Sequence, residues 1–267
     1  MKKIILITGS TDGIGKLTAL KLAKEGHEIY LHGRNATKLE TVISEIKTSS
    51  NNENIKGFVA DFSDLEAVKK MATQITQEVS KLDVLINNAG VYKSSISKTK
   101  DDLDIRFAVN YFAPYILTKE LMPLLKKGDA SRIINLSSAA QAPVSIEALK
   151  GKKSLTEMEA YSQSKLALTM WSLHLAETEP KVATIPVNPG SLLNTNMVKE
   201  GWGFHRSSAD KGRDILYDLA VLEKYKNASG KYFDNDIGSF GTVHPAGSKK
   251  EAINTLIEKT NEWLNKL

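Results

Sequence analysis

The chain has no cysteine among its 267 residues. That absence removes disulfides, thiolate nucleophiles and cysteine-held metals, and it fits a reducing compartment, so a cytoplasmic protein is expected. Long apolar runs are missing as well. No stretch approaches the roughly 20 apolar residues that cross a bilayer, so no membrane span is expected. The opening MKKIILITGS places lysines ahead of an apolar run, as a secretion signal would, but the run is short and ends in a glycine loop without a cleavage-site pattern. The 5 histidines are scattered with no metal-ligand spacing, which predicts no metal. No basic run is interleaved with aromatics, which argues against nucleic acid. The formal net charge of +5 reads as lysine-rich helix surfaces with a mild attraction to anions.

Short β-branched runs alternate with longer amphipathic segments along the chain. Strands are predicted at residues 3–8, 28–32, 55–60, 83–87, 132–137 and 182–188, most of them nearly all apolar, as in a parallel sheet covered on both faces. Helical patterns fill 14–25, 36–48, 65–79, 101–125 and 158–177, and a closing helix is predicted over 249–266 after a short strand in 229–236. This order implies right-handed crossovers and an α/β, doubly wound sheet. No repeat or linker divides residues 1–267, so a single domain is expected. The irregular stretches 139–157, 189–212 and 228–248 should gather at the strand carboxyl ends, where ligands bind in such folds.

The stretch TGSTDGIG (8–15) follows the first strand and opens the first helix. Its glycines Gly9, Gly13 and Gly15 suit a sharp turn, a close approach to phosphate and tight helix–strand contact, with Ser10, Thr11, Asp12 and Ile14 completing the loop. The helix N-terminus then offers free N–H groups to a pyrophosphate. A P-loop would need glycine at position 10 and Ser or Thr at 17, where this chain has Ser10 and Leu17. At the end of the second strand a carboxylate would grip the 2′-hydroxyl of NAD, whereas arginine accommodates the 2′-phosphate of NADP. The chain has Arg34 there, one of only 5 arginines against 31 lysines, and no carboxylate. NADP(H) is therefore the expected cofactor, with NAD(H) second. Asp12 is a counter-signal, since it adds no positive charge to the loop.

Two stretches fit Tyr-x-x-x-Lys, YILTK (115–119) and YSQSK (161–165), and composition alone yields about one such match by accident. What surrounds each copy decides between them. TGSTDGIG, NNAG (87–90), Asn110, NLSS (135–138), YSQSK and NPGS (188–191) occur in the order and approximate spacing of the short-chain dehydrogenase/reductase family. The chain resembles that family over at least residues 3–200, most closely the branch with retinol dehydrogenase-like and carbonyl reductase-like enzymes. The resemblance implies a three-layer Rossmann-type sheet of about seven strands with helices on both faces. It also implies catalytic roles for Asn110, Ser138, Tyr161 and Lys165. Asp61 and Phe62 would lie near the adenine, Asn88, Ala89 and Gly90 would line the cofactor, and Pro189 and Gly190 would lead to its nicotinamide end. A phenol with a pKa near ~10 is a poor base at neutral pH. A lysine one helical turn away and the charge of an oxidised nicotinamide would stabilise its phenolate. Ser138 reads as a polariser of the substrate oxygen, Lys165 also as a ribose ligand, and Asn110 as the holder of a relay water. Tyr115 is assigned to packing, with a subunit contact in a homodimer or homotetramer as one setting.

The chain departs from the family pattern in places. The insert between Ser138 and Tyr161 is longer than usual, and its first part, with Ala140 and Gln141, is expected to line the substrate cleft. Asn194 stands where the family places a threonine on the nicotinamide carboxamide, and Thr195 follows it, so either could serve. Residues 191–212 read as a lid, with Trp202 and Phe204 offering aromatic surface to an apolar substrate. The expected activity is interconversion of a small-molecule carbonyl and alcohol. The competing class is a non-catalytic NADP(H)-sensing regulatory protein on the same fold.

Overall fold

In the computed structural model, which describes residues 2–266, the apolar runs form the strands β1 (Ile4–Ile7), β2 (Glu28–Gly33), β3 (Ile55–Val59), β4 (Val84–Asn87), β5 (Arg132–Leu136) and β6 (Ala183–Asn188). Two short strands follow, β7 (Phe233–Asp234) and β8 (Ser239–Phe240). They make one sheet in the order β3-β2-β1-β4-β5-β6-β7-β8, parallel except for the antiparallel β7–β8 pair. The strand order reverses between β1 and β4, and that switch point opens a crevice at the strand carboxyl ends.

Among the described residues, ten α-helices lie between and after the strands: α1 (Gly13–Lys24), α2 (Ala36–Ser50), α3 (Leu65–Glu78), α4 (Ile105–Phe107), α5 (Ala113–Leu125), α6 (Ile146–Leu149), α7 (Glu157–Thr178), α8 (Asn196–Trp202), α9 (Ala209–Val221) and α10 (Lys250–Leu264). Val68 of α3, Leu117 of α5, Leu166 of α7 and Leu256 of α10 share one apolar core. Ala19 of α1, Val42 of α2 and Leu216 of α9 share the other. The sheet therefore lies between two helical layers, as the unbroken apolar strands require. Among the described residues, no helix is long and apolar enough to cross a membrane.

Three local features set up the crevice. Thr156 and Glu159 form a reciprocal capping box at the start of α7, so this deeply buried helix begins at a defined residue. A π-helical turn (Ala108–Phe112) interrupts the segment from α4 to α5 and contains Asn110. Such a turn inserts an extra residue per turn and swings its side chains out of register. Residues 139–157, expected as a loop, contain α6, whose Ala148 and Leu149 are buried. The predicted lid 191–212 contains α8 and the first turn of α9.

Candidate active site

β1 ends in a turn with Gly9 at φ 61° and Gly13 at φ 54°, a region that side-chain-bearing residues avoid. A Cβ on Gly9 would also stand 2.7 Å from the Ala89 Cα, so the loop and the end of β4 touch backbone to backbone. Asn88 braces this contact, its amide donating to the carbonyls of Thr8 at 2.8 Å and Gly9 at 2.9 Å. The Asp12 carboxylate caps α1 by accepting from the Gly13 N–H at 2.7 Å. His32 holds the loop from the other side: its Nδ1 accepts from the Gly9 N–H at 3.0 Å, so its Nε2 carries the proton shared with the Ala60 carbonyl at 3.0 Å. Burial pushes His32 down to about 4, which keeps the ring neutral and this tautomer fixed. Its ring stacks on Phe62 with centroids 4.1 Å apart.

A cleft of about 560 Å³ runs along the strand ends. One part is walled by the glycine loop, Arg34, Lys38 and Asp61; another by Ser138, Tyr161 and Lys165; and Asn88, Ala89 and Gly90 stand in the same wall. Lys38 donates to Asp12 at 3.2 Å, and the same carboxylate oxygen accepts from Asn196 of α8 at 2.8 Å. Asp12 thus ties the glycine loop to both α2 and the segment above the cleft.

Tyr161 and Lys165 lie one turn apart on α7, both almost fully buried. Ser138 stands in the same stretch of cleft wall as Tyr161. Lys165 Nζ donates to the Leu136 carbonyl at 2.7 Å and lies 5.7 Å from the Tyr161 ring centroid. Burial raises the Tyr161 phenol above its ordinary value; the neighbouring Ser138 hydroxyl opposes this, and nearby Tyr92 adds to it. Burial pushes Lys165 down to about 8. Burial thus acts against the charged form of both side chains.

Asn110 stands behind the wall, with its Oδ1 accepting from the Val91 N–H at 2.8 Å. Its amide donates to the Val91 carbonyl and to the Ser164 hydroxyl, both at 3.0 Å. Its side chain fixes the π-helical turn against the loop that follows Gly90. Ser10 is likewise buried away from the cleft, donating to the Ile7 carbonyl at 2.8 Å and accepting from the His32 N–H at 2.9 Å.

Of the other anticipated residues, Thr11, Gly15, Ile14, Phe62, Pro189, Gly190 and Thr195 line the cleft. Thr195 does so while capping α8, whereas Asn194 is exposed and outside the wall. Ala140 and Gln141 are outside it too, because Gln141 turns back to donate to the Ser138 carbonyl at 2.8 Å. Phe204 is 51% exposed. Trp202 does not face the cleft but stacks on Tyr92 at 4.5 Å, and Tyr92 meets Tyr161 edge-on at 5.3 Å. Apolar surface in the cleft comes instead from Tyr92, Ile96, Val109, Met197 and Val198.

His32, Lys38 and Tyr92 escaped sequence reasoning. Lys38 is four positions after Arg34, on the first turn of the next helix, which is a readable signal for a second cation. Tyr92 directly follows the NNAG stretch and Val91. His32 has no pattern of its own. The rival Tyr115 is 7% exposed, donates to Asn261 of α10 at 2.8 Å and lies against Trp171, so it packs within the chain.

A family model described as short chain dehydrogenase matches residues 3–202. Retinol dehydrogenase 12 of Mus musculus is 33% identical over 87% of this chain and 78% of its own length. Polyprenol dehydrogenase of Homo sapiens is 29% identical, over 88% and 77%. A solved structure from Escherichia coli CFT073, complexed with NADPH, superimposes with a TM-score of 0.71 at 27% identity, covering 87% of this chain and 96% of that one. The catalytic-end geometry, the glycine loop and these likenesses converge: the chain belongs to the short-chain dehydrogenase/reductase family, in its retinol dehydrogenase-like branch, and is an oxidoreductase acting on CH–OH donors.

Proposed function

We propose that the protein is an NADPH-dependent reductase of a small apolar carbonyl compound, with Tyr161 as the proton donor. One observation carries this reading. Tyr161 and Ser138, with Lys165 one turn along α7, line a single cleft with the glycine loop and with Arg34.

The residues present suit a dinucleotide. The positive-φ glycines bring backbone close to a pyrophosphate, and the α1 N-terminus supplies N–H donors and partial positive charge. Arg34, with Lys38 beside it on the cleft wall, would take the 2′-phosphate through its planar donor fork. Asp61 and Phe62 would border the adenine, Lys165 the ribose, and Thr195 the carboxamide. When bound, the nicotinamide supplies the hydride for reduction or accepts it for oxidation.

The chain's own residues handle the proton. A phenol held above its ordinary value is protonated at neutral pH and can donate to a carbonyl oxygen. Ser138 donates to the same oxygen and fixes its place. The Lys165 ammonium then offsets the negative charge left on Tyr161. Asn110 holds the Val91 backbone at the edge of this constellation and acts by positioning.

The substrate side of the cleft is largely apolar, and the relatives named above are retinol and polyprenol dehydrogenases. An extended isoprenoid-like aldehyde or ketone is the class these walls suit. NADPH oxidation, followed optically with apolar aldehydes, ketones and quinones, tests the reading. Turnover of apolar aldehydes or ketones is expected. Tight NADPH binding with no turnover on any of them would overturn it in favour of a nucleotide sensor.

A further inference from the structure

Beyond the cleft, the sequence YFDND (232–236) forms an interlock whose targets are all in or next to the cleft wall. The Asn235 N–H donates to the Asn188 carbonyl at 3.0 Å, extending the β6–β7 pairing. Its side-chain amide donates to the Pro189 carbonyl at 2.9 Å and to the Lys211 carbonyl at 3.1 Å. Asp234 and Asp236 both accept from the Asn188 amide, at 2.8 and 2.9 Å. Asp236 also accepts from the Ser191 N–H at 2.8 Å and from the Ser191 hydroxyl.

Pro189 and Lys211 bracket residues 190–210, the segment that supplies Gly190, Leu193, Thr195, Met197 and Val198 to the cleft. The neck of this segment is closed by backbone bonds from Arg206 to Leu192 and from Asn194 to Ser207, both 2.9 Å. Above the neck, α8 has no buried residue. Its ties to the rest of the molecule include the Asn196–Asp12 bond and the contacts of Gly201 and Trp202 with Tyr92.

We infer that Asn235 is a positioning residue for the reaction: its single amide nitrogen holds both feet of the 190–210 segment at a fixed spacing. The chemistry is specific to an amide. One nitrogen carries two hydrogens at a fixed angle, and two backbone carbonyls that face it need donors. An aspartate has the same shape but would set acceptor against acceptor beside two further carboxylates. The flanking Asp236 secures the first foot through Ser191 and pairs with the Lys211 ammonium of the second at 4.0 Å, while Asn235 is the side chain that bonds the backbone of both feet. Because Gly190 and Thr195 wall the proposed nicotinamide end, the spacing governs alignment there and leaves the Arg34 end of the cleft untouched. The inference rests on the proposed reductase reading.

The test uses the full chain, NADPH, and the Asn235→Ala and Asn235→Asp variants. Trypsin cleavage at Lys199 and Arg206, inside the bracketed segment, is timed by mass spectrometry and read alongside kcat and NADPH affinity. Both variants are expected to be cut about tenfold faster at those two sites and no faster elsewhere, reflecting local opening. Their kcat should fall about tenfold or more, as small misalignments do, with the NADPH Kd within about threefold of the parent. Unchanged cleavage and kcat would overturn the inference. So would cleavage rising at all sites with kcat and affinity falling together, which marks a merely structural residue. A parent chain that binds NADPH and turns over no carbonyl refutes the reductase reading by itself, before any variant is compared. In that case faster cutting at the two sites still upholds the brace, and unchanged cutting removes it.

Discussion

Replacing Lys165 with methionine is predicted to stabilise the protein at neutral pH while destroying its activity. The Lys165 ammonium is 4% exposed and is pushed down to about 8 from 10.5 by burial. A displacement of about 2.5 on the pH scale, at ~1.36 kcal/mol each, makes holding the charge cost about 3 kcal/mol. Methionine keeps most of the apolar stem but forfeits the bond to the Leu136 carbonyl, worth about 1.5–3 kcal/mol for a charged donor. The net gain is up to about 1.5 kcal/mol, or a rise of up to roughly 6 °C in Tm for a chain of this size. The sign has a pH signature. A lysine whose folded-state value is lowered costs stability in full below about 8, and the cost fades as pH approaches 10.5. Thermal melts of both proteins at pH 7 and pH 10 measure this, and the methionine advantage should shrink at the higher pH. A variant that melts lower than the parent at pH 7, or by the same margin at both pH values, would refute the reasoning.

Three further outcomes follow from the site. Arg34→Ala should weaken NADPH binding about tenfold to a hundredfold, the range for a charge-assisted contact, with NADH affinity little changed; titration by nucleotide fluorescence checks it. Reduction should slow as pH rises through about 8, where Lys165 loses the charge that offsets the phenolate, and a kcat–pH profile would show the descending limb. Tyr115→Phe should keep turnover near the parental level and cost about 1 kcal/mol for the lost Asn261 bond, as urea unfolding would report.

The strands β1–β6 were legible because each is a short apolar run between turn signals, and a two-faced parallel sheet imposes that composition. β8 was not, since two residues carry no period. α9 was hidden by Gly212, which reads as a breaker but serves a close approach: a Cβ there would stand 2.7 Å from Leu193 and 2.9 Å from Ile14. The π-helical turn at Asn110 has no sequence rule, because it arises from the Asn110–Val91 bonds across the fold. At the site, the spacing of Tyr161 and Lys165 and the glycine loop could be read locally. The substrate side could not. Trp202 was expected to face the cleft, but Tyr92 takes its ring first, a contact between residues far apart in sequence. Gln141 was expected in the cleft for its place after Ser138, yet it satisfies the Ser138 carbonyl instead.

The most direct test of the account is Tyr161→Phe, measured for turnover and for NADPH binding on the same preparation. Phenylalanine keeps the ring against Tyr92 and removes only the hydroxyl that shares the cleft wall with Ser138. The predicted result is a kcat lowered about a thousandfold, within the usual range for a lost general acid, with NADPH affinity unchanged. A variant that keeps more than about a tenth of the parental kcat would contradict the assignment of Tyr161 as the proton donor.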